Sequence, residues 1–294
     1  MPLMRLSSCR GNFLNNETLS ILTKKELSLV WQTAIATLVR NQRANRRAYP
    51  WTFTLGHIID GAYLVLISFF SYVYLIQGDV DSQFAVYTGS NDYLTYVIIG
   101  GLLNIFSISM MMNISRALIT EWREGTLEAL LLSPSNRSGY FVGNAIQQLY
   151  RSGLELLVVL SFGLLAGLRL PFPHLWSVIV GGLIYLLSCY AMALVLGSIM
   201  LFTRDTYIVQ NTLFAVTALL CGFQFPRQYL PEMLQHAGEI FPLTHSLQLL
   251  RGALLTGDVI RLMDILPIVL LSTVYIAVGL WSNRLVERRL FERF

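Results

Sequence analysis

The sequence predicts an all-α, multi-pass membrane protein, and three observations carry that prediction. First, hydrophobic residues make up 54% of the 294-residue chain and charged residues only 13%, against about 25% charged in soluble domains; mean hydropathy is +0.57. Second, about 20 apolar residues bridge a hydrocarbon core of roughly 30 Å. Stretches of that order without charge recur at 61–78, 93–115, 175–202, 206–226 and 265–283, and a sixth, 140–168, carries only Arg151 and Glu155. Third, the basic residues are unevenly placed. With the N-terminal end in the cytoplasm and six crossings, sixteen of the 21 basic residues fall inside and four outside, which is the positive-inside pattern. Both termini are then cytoplasmic, in a bacterial inner membrane.

Taken in order, residues 1–54 form a cytoplasmic arm, and its first 26 residues lack the apolar core of a secretory signal. Residues 27–39 (LSLVWQTAIATLV) are too few to cross. Their apolar positions Leu27, Val30, Trp31, Ala34, Ile35, Leu38 and Val39 keep three-four spacing, with lysines before and RNQRANRR after. The pattern predicts an amphipathic helix at the inner interface with its cations near anionic head groups. A buried helix of a soluble arm is the other reading.

Residues 55–283 form the six-span unit, with an inner loop at 116–139, an outer segment at 223–262 and a basic tail at 284–294. Orientation accounts for the net charge of +4, so no nucleic-acid partner is expected. Cys9, Cys189 and Cys221 have no pairing or zinc spacing, and the four histidines are scattered. No metal site is expected. The outer segment contains two helical repeats. Leu230, Met233, Leu234, Ala237 and Phe241 share one face; Leu243, Leu247, Leu250 and Leu254 share another. Backbone that dips into a membrane must be helical or covered, so a re-entrant hairpin between spans five and six is predicted.

The inner loop contains EWREGTLEALLLSP (121–134). In a continuous helix Glu121, Glu124 and Glu128 would stack on one face. Leu127, Leu130 and Leu131 would form an apolar patch, Gly125 could divide the helix, and Ser133-Pro134 would end it. A solvated loop, a carboxylate metal site and a docking helix all fit that spacing.

The run EWREGTLEALLLSP resembles the E-x-E-x-G-T-L-E-x-L-L-x-S-P loop of type-2 ABC exporter permeases, the drug, polysaccharide and lipo-oligosaccharide exporters. A second likeness lies in 221–258. Phe225-Pro226, Leu230-Pro231, Pro242-Leu243-Thr244 and Leu250-Arg251 through Gly257 follow the order of that family's outer hairpin. Trp122-Arg123 departs from the Arg-Glu of many relatives. The resemblance implies a coupling helix of Glu121, Trp122, Arg123, Glu124, Gly125, Thr126, Leu127, Glu128 and Leu130, docked on an ATPase subunit. It also implies two ABC ATPase partners, a second permease copy or close homologue, and contact with membrane lipid.

No GxxxxGK[ST] loop is present, nor a nucleophile or metalloenzyme signature. The chain is therefore expected to be no enzyme and to hold no cofactor, ATP and Mg being bound by the partner. The expected function is ATP-driven export of an amphipathic, drug-like, lipid-linked or saccharide/peptide substrate. An ATP-independent channel or secondary transporter is the alternative, although ion-site carboxylates and inverted repeats are not visible. Arg151 and Glu155 stand four apart on one helical face. They either line the path or neutralise each other within the bilayer. Asn104, Met111, Asn211, Phe214, Phe223, Phe225 and Pro226 are the candidates for path or gate, with Ser107, Met110, Gln210 and Thr212 beside them.

Overall fold

The computed structural model describes residues 16–48, 52–75, 82–89, 92–132, 136–165, 167–168, 174–208, 211–212 and 214–291. Expectations resting on residues 1–15, on Ser133-Pro134 and on the side chains of Leu131, Gln210 and Phe214 lie outside the described residues. Those described are helical or connect helices, with no strand among them. In order they are α1 (Asn16–Ala48), α2 (Thr52–Phe70) continuing as a π-helical turn (Ser71–Leu75), α3 (Ser82–Thr88), α4 (Tyr93–Arg123), α5 (Leu127–Leu132) and α6 (Arg137–Leu165). They continue with α7 (Leu175–Thr203), α8 (Thr206–Ile208), α9 (Phe214–Cys221), α10 (Glu232–Glu239), α11 (Pro242–Leu255) and α12 (Leu262–Phe291).

Four described helices, α4, α6, α7 and α12, are long and apolar enough to cross a membrane, and Ala62–Tyr74 is a shorter apolar helix. The expected stretch 206–226 is not one described helix. Asp205 Oδ1 accepts from the Tyr207 amide at 2.7 Å and starts the short α8, and α9 ends at Gly222 with φ +68°. Other boundaries also move. The helix expected at 93–115 runs on to Arg123, α1 extends well beyond 27–39, and α12 continues through most of the expected tail. The two short helices expected within 223–262 are present as α10 and α11.

Between apolar helices in lipid the hydrophobic drive to associate is weak, so close approach and polar ties hold the bundle. The central pair is α4 and α7, with α12 and α11 on α7, α6 on α4, and α1 on α6. A Cβ on Gly197 would stand 3.2 Å from the Ser115 backbone, and one on Gly279 would stand 2.7 Å from Leu194 Cβ. Glycine thus sets the α4–α7 and α7–α12 crossings. Tyr185 donates to the Leu103 carbonyl at 2.7 Å, Asn283 Nδ2 to the Leu194 carbonyl at 3.3 Å, and the Ser188 and Ser272 hydroxyls meet at 3.3 Å. Tyr185, Met111, Leu194, Met200, Leu243 and Leu247 form the best-buried part of the core.

The α1–α6 contact follows the same rule. Gly139 and Gly143, four apart on α6, face Val30, Thr33, Ala34 and Thr37. Thr33 Oγ1 accepts from the Asn136 amide at 3.3 Å, and Asn41 donates to Asn144 at 2.8 Å. The opposite side of α1 exposes Trp31, Ile35 and Val39 at intervals of four.

This packing makes a testable distinction between two glycines of α6. A Cβ at Gly143 would sit 2.6 Å from the Ala34 carbonyl oxygen, whereas one at Gly153 meets nothing within 4 Å. Gly143→Val should cost about 1–3 kcal/mol through overpacking, and Gly153→Ala should stay within about 0.5 kcal/mol. Thermal unfolding in detergent checks both; equal melting temperatures would show that the α1–α6 contact is not close-packed.

Candidate functional site

The α4–α5 turn is built by its own sequence. Glu124 closes α4, Gly125 adopts φ +71°, and the Thr126 amide reaches back to the Glu121 carbonyl at 2.9 Å while the Gly125 amide meets Trp122 at 3.2 Å. That pair of bonds with a left-handed glycine is a Schellman ending. Here the contact that usually closes it through apolar groups is polar: the Thr126 hydroxyl donates to the Glu121 carboxylate. The helix then restarts as α5.

One consequence corrects the sequence expectation. The three carboxylates do not share a face, because the chain changes direction at Gly125. Glu121 is 3% exposed and turned inward, while Glu124 and Glu128 are exposed. Leu127 is 5% exposed and belongs to this chain's own core, with Leu130 packed against it. The outward surface is Arg123, Glu124, Gly125, Thr126 and Glu128.

Behind the turn, the Glu121 carboxylate receives Arg40 from α1 as an ion pair. The Tyr140 hydroxyl of α6 lies 3.2 Å from Glu121 Oε1 and 3.1 Å from the Ala117 carbonyl, sharing one proton between them. A buried carboxylate needs such partners, since desolvation without them costs several kcal/mol. Glu121 therefore joins α1, α4, α6 and the turn at one point. Trp122, half-buried beside it, lies under the guanidinium of Arg204, 5.3 Å from the ring centroid. Arg204 ends α7 in the left-handed region (φ 57°) and is the positive-φ non-glycine residue among those described. Cation and ring link the α7 terminus to the turn.

The remaining expected residues fall into separate places. Arg151 and Glu155 are half-buried and electrostatically coupled on α6, and Ser109 of α4 donates to Glu155 Oε2 at 3.5 Å. Gln148 and Ser152 bond at 2.8 Å on the same helix. Met111 and Phe223 are almost fully buried, Phe225 is half-buried and Pro226 buried. Asn211 is exposed. Asn104 lines a cavity between α2 and α4, and Gln224 is also in its lining.

Arg251 was not singled out by the sequence as a site. It is 7% exposed on α11; its Nη1 donates to the Tyr96 hydroxyl at 2.6 Å and the Gly222 carbonyl at 3.2 Å, and its Nη2 donates to the Phe223 carbonyl at 2.5 Å. The guanidinium also covers the Tyr96 ring at 4.1 Å. Gly100 makes this possible, since a Cβ there would lie 1.8 Å from the Phe223 carbonyl oxygen. The sequence signals were an arginine amid the leucines of 247–255, its place in the Leu250-Arg251 element of the family likeness, and the Gly100-Gly101 pair. Tyr140 carried no signal, and Arg40 was legible only as one of the cations following 27–39, not as the partner of Glu121.

With this geometry in place, likeness to other proteins becomes informative. A family model described as "ABC-2 type transporter" matches residues 33–255. The probable multidrug ABC transporter permease YbhR of Escherichia coli (strain K12) is 27% identical over 160 residues, covering 54% of this chain and 43% of the relative. The probable multidrug ABC transporter permease YbhS of the same strain is 24% identical over 203 residues, covering 66% of this chain and 52% of the relative. The chain thus spans about half the length of the curated relatives it matches.

The Glu121 cluster yields a double-mutant test. Arg40→Ala strands a buried carboxylate and should cost about 2 kcal/mol, below the ~3–5 kcal/mol of a fully buried pair because the Arg40 side chain is 50% exposed. Arg40→Ala with Glu121→Gln should recover most of that loss. Melting temperatures of the single and double variants decide it, and a double variant less stable than Arg40→Ala would refute the pairing.

Proposed function

The chain belongs to the ABC-2 type transporter family, and from that premise we propose that it is the membrane permease subunit of an ATP-driven exporter whose energy comes from a separate ATPase docked on the α4–α5 turn. The observation that carries this reading is the turn itself. Glu124 and Glu128 stand exposed on a backbone closed by Gly125, and Glu121 braces it from behind through Arg40 and Tyr140. A rigid anionic ridge is suited to a basic, polar surface, and a rigid base passes a push on to the helices beneath. The sequence has no phosphate-binding loop of its own, so nucleotide chemistry falls to the partner.

In this reading two further crossings complete six. The 19 residues of α2 and the five of the π-helical turn extend about 36 Å at 1.5 Å per residue. The other crossing lies over 206–226. The termini and the α4–α5 turn face the cytoplasm, and α10 and α11 form the re-entrant hairpin of the outer side. Arg251 then fastens the hairpin to α4 and to the Phe223–Pro226 turn, closing the path outward until the ATPases engage. The exposed Trp31, Ile35 and Val39 stripe of α1 rests in the inner leaflet. The Arg151–Glu155 pair steadies α6 against α4. Two copies, or this chain and a homologue, enclose the path, and two ATPases serve them. The relatives named as probable multidrug permeases favour an amphipathic, drug-like or lipid-linked cargo.

Two measurements test the reading. Glu124→Lys with Glu128→Lys should abolish co-purification with the cognate ATPase, and export with it, because like charges meet at close range. Expression and oligomer size should be unchanged, since neither carboxylate is buried. Retention of the partner by the reversed protein would remove the docking assignment. For orientation, a cysteine at Met233, which is 84% exposed, should react with an impermeant thiol reagent in intact cells, and one at Glu128 should not. The opposite labelling would invert the topology.

A further inference from the structure

The cavity between α2 and α4 has a volume of about 710 Å³, within the roughly 300–1,000 Å³ of small-molecule sites. The two helices run antiparallel along it: Tyr72 stacks on Tyr93 and Leu64 meets Gly101. Along α4 the lining reaches from Tyr93 to Ser109, about 24 Å of helix at 1.5 Å per residue. The cavity is therefore a groove rather than a round pocket. Leu64, Ile67, Val97, Ile105 and Ile108 line its sides. Tyr93 and Ser71 stand toward the end marked by the Tyr72–Tyr93 pair, Gln224 follows Phe223, whose carbonyl meets Gly100, and Tyr63, Asn104 and Ser109 lie further toward the α4–α5 end.

A groove between apolar helices fills with something, and a hydrocarbon tail is the default occupant. Asn104 argues against that default. Its Oδ1 is buried and has no hydrogen-bond partner. It lies about 17 Å along α4 from Tyr93, near mid-span. An unpaired polar group in hydrocarbon costs several kcal/mol, and an acyl tail offers it no donor. Two other polar groups of the lining are differently placed: the Ser68 hydroxyl donates to the Leu64 carbonyl at 2.8 Å, and Ser109 is bonded to Glu155. Among the described residues no charged side chain lines the groove.

From these features we infer that the α2–α4 groove is a binding site for an uncharged, elongated amphipath carrying an O–H or N–H group that donates to Asn104 Oδ1. The alkyl or aryl body lies along the isoleucine and valine walls, and the tyrosines at the two ends cover it. The described lining residues carry no charge, which disfavours anionic and cationic head groups, since these would be desolvated there without a counter-ion. This deepens the export reading, on which it rests for the role of the ligand as cargo. Binding itself needs no ATPase, so the two can fail separately.

The test uses the full chain in lipid nanodiscs without ATPase, and palmitoylethanolamide bearing a mid-chain diazirine as probe. A phosphatidylcholine with the same diazirine chain serves as the annular-lipid comparison. Photolabelling and peptide mapping should place the ethanolamide probe on segments 62–74 and 93–109, at least fivefold above the phospholipid and competed by excess unlabelled palmitoylethanolamide. Asn104→Leu keeps a side chain of similar size and should lower labelling about two- to tenfold, the value of one lost hydrogen bond. Val97→Trp should block the groove and lower labelling as strongly, with both variants monodisperse and as thermostable as the parent. Equal labelling by the two probes, or no response to either variant, would make the groove an ordinary lipid contact and overturn the site. Cross-linking of two copies through cysteines at Ser71, with the ethanolamide label absent, would make it a permease–permease contact instead and overturn the site equally. Labelling as expected in a protein whose Glu124/Glu128 reversal still binds its ATPase would keep the site while removing the docking assignment.

Discussion

In a bilayer each backbone amide and carbonyl must find its partner within the protein, and apolar side chains gain little by meeting one another rather than lipid. Helices that satisfy the first demand still need a reason to associate. In this chain the reason is repeated: a glycine removes a side chain at the crossing, backbones approach, and a hydroxyl, amide or guanidinium bonds across the gap. Gly197 against Ser115, Gly279 against Leu194, Gly139 and Gly143 against α1, and Gly100 against Phe223 are five instances. The accompanying bonds of Tyr185, Asn283, Asn41 and Arg251 tie the same contacts.

This constraint gives the two ends of the bundle different fastenings. At the α4–α5 end, a charged pair and a phenol gather around Glu121, where solvent still reaches half of Arg40. A charged clasp is tolerable there. At the hairpin end, the Arg251 guanidinium is buried among neutral acceptors, two carbonyls and a hydroxyl, and leans on an aromatic face. Arginine suits that position better than lysine because its planar fork reaches several acceptors at once. The two clasps are joined through α4, whose first turn carries Tyr96 and whose last carries Glu121. A displacement of the turn therefore has a continuous rod along which to reach the hairpin.

Much of this was legible in the sequence for local reasons. Charge-free runs of spanning length marked α4, α7 and α12, a run broken only by Arg151 and Glu155 marked α6, and three-four spacing marked α11, whose Leu243, Leu247 and Leu250 are buried. Gly125 after a polar helix end was legible as a break. The stacking of Glu121, Glu124 and Glu128 was not, because it assumed a helix that the same glycine interrupts. Nor was the inward turn of Leu127, since a leucine at the edge of an apolar run fits an own core and a partner's groove equally well.

What the sequence by itself determined was the solvent, the positions of four long apolar helices and the break at Gly125, because each depends on residues within a few positions of one another. Only the tertiary structure decided which carboxylate turns inward, which cation meets it, and where a polar atom is left without a partner. Arg40 and Glu121 are 81 positions apart, and Tyr96 and Arg251 are 155 apart. Hydrophobic periodicity says which face of a helix is buried and carries no information about which other helix covers it. That choice is made by where glycines let backbones approach, and it is a property of pairs of helices rather than of any one stretch of sequence.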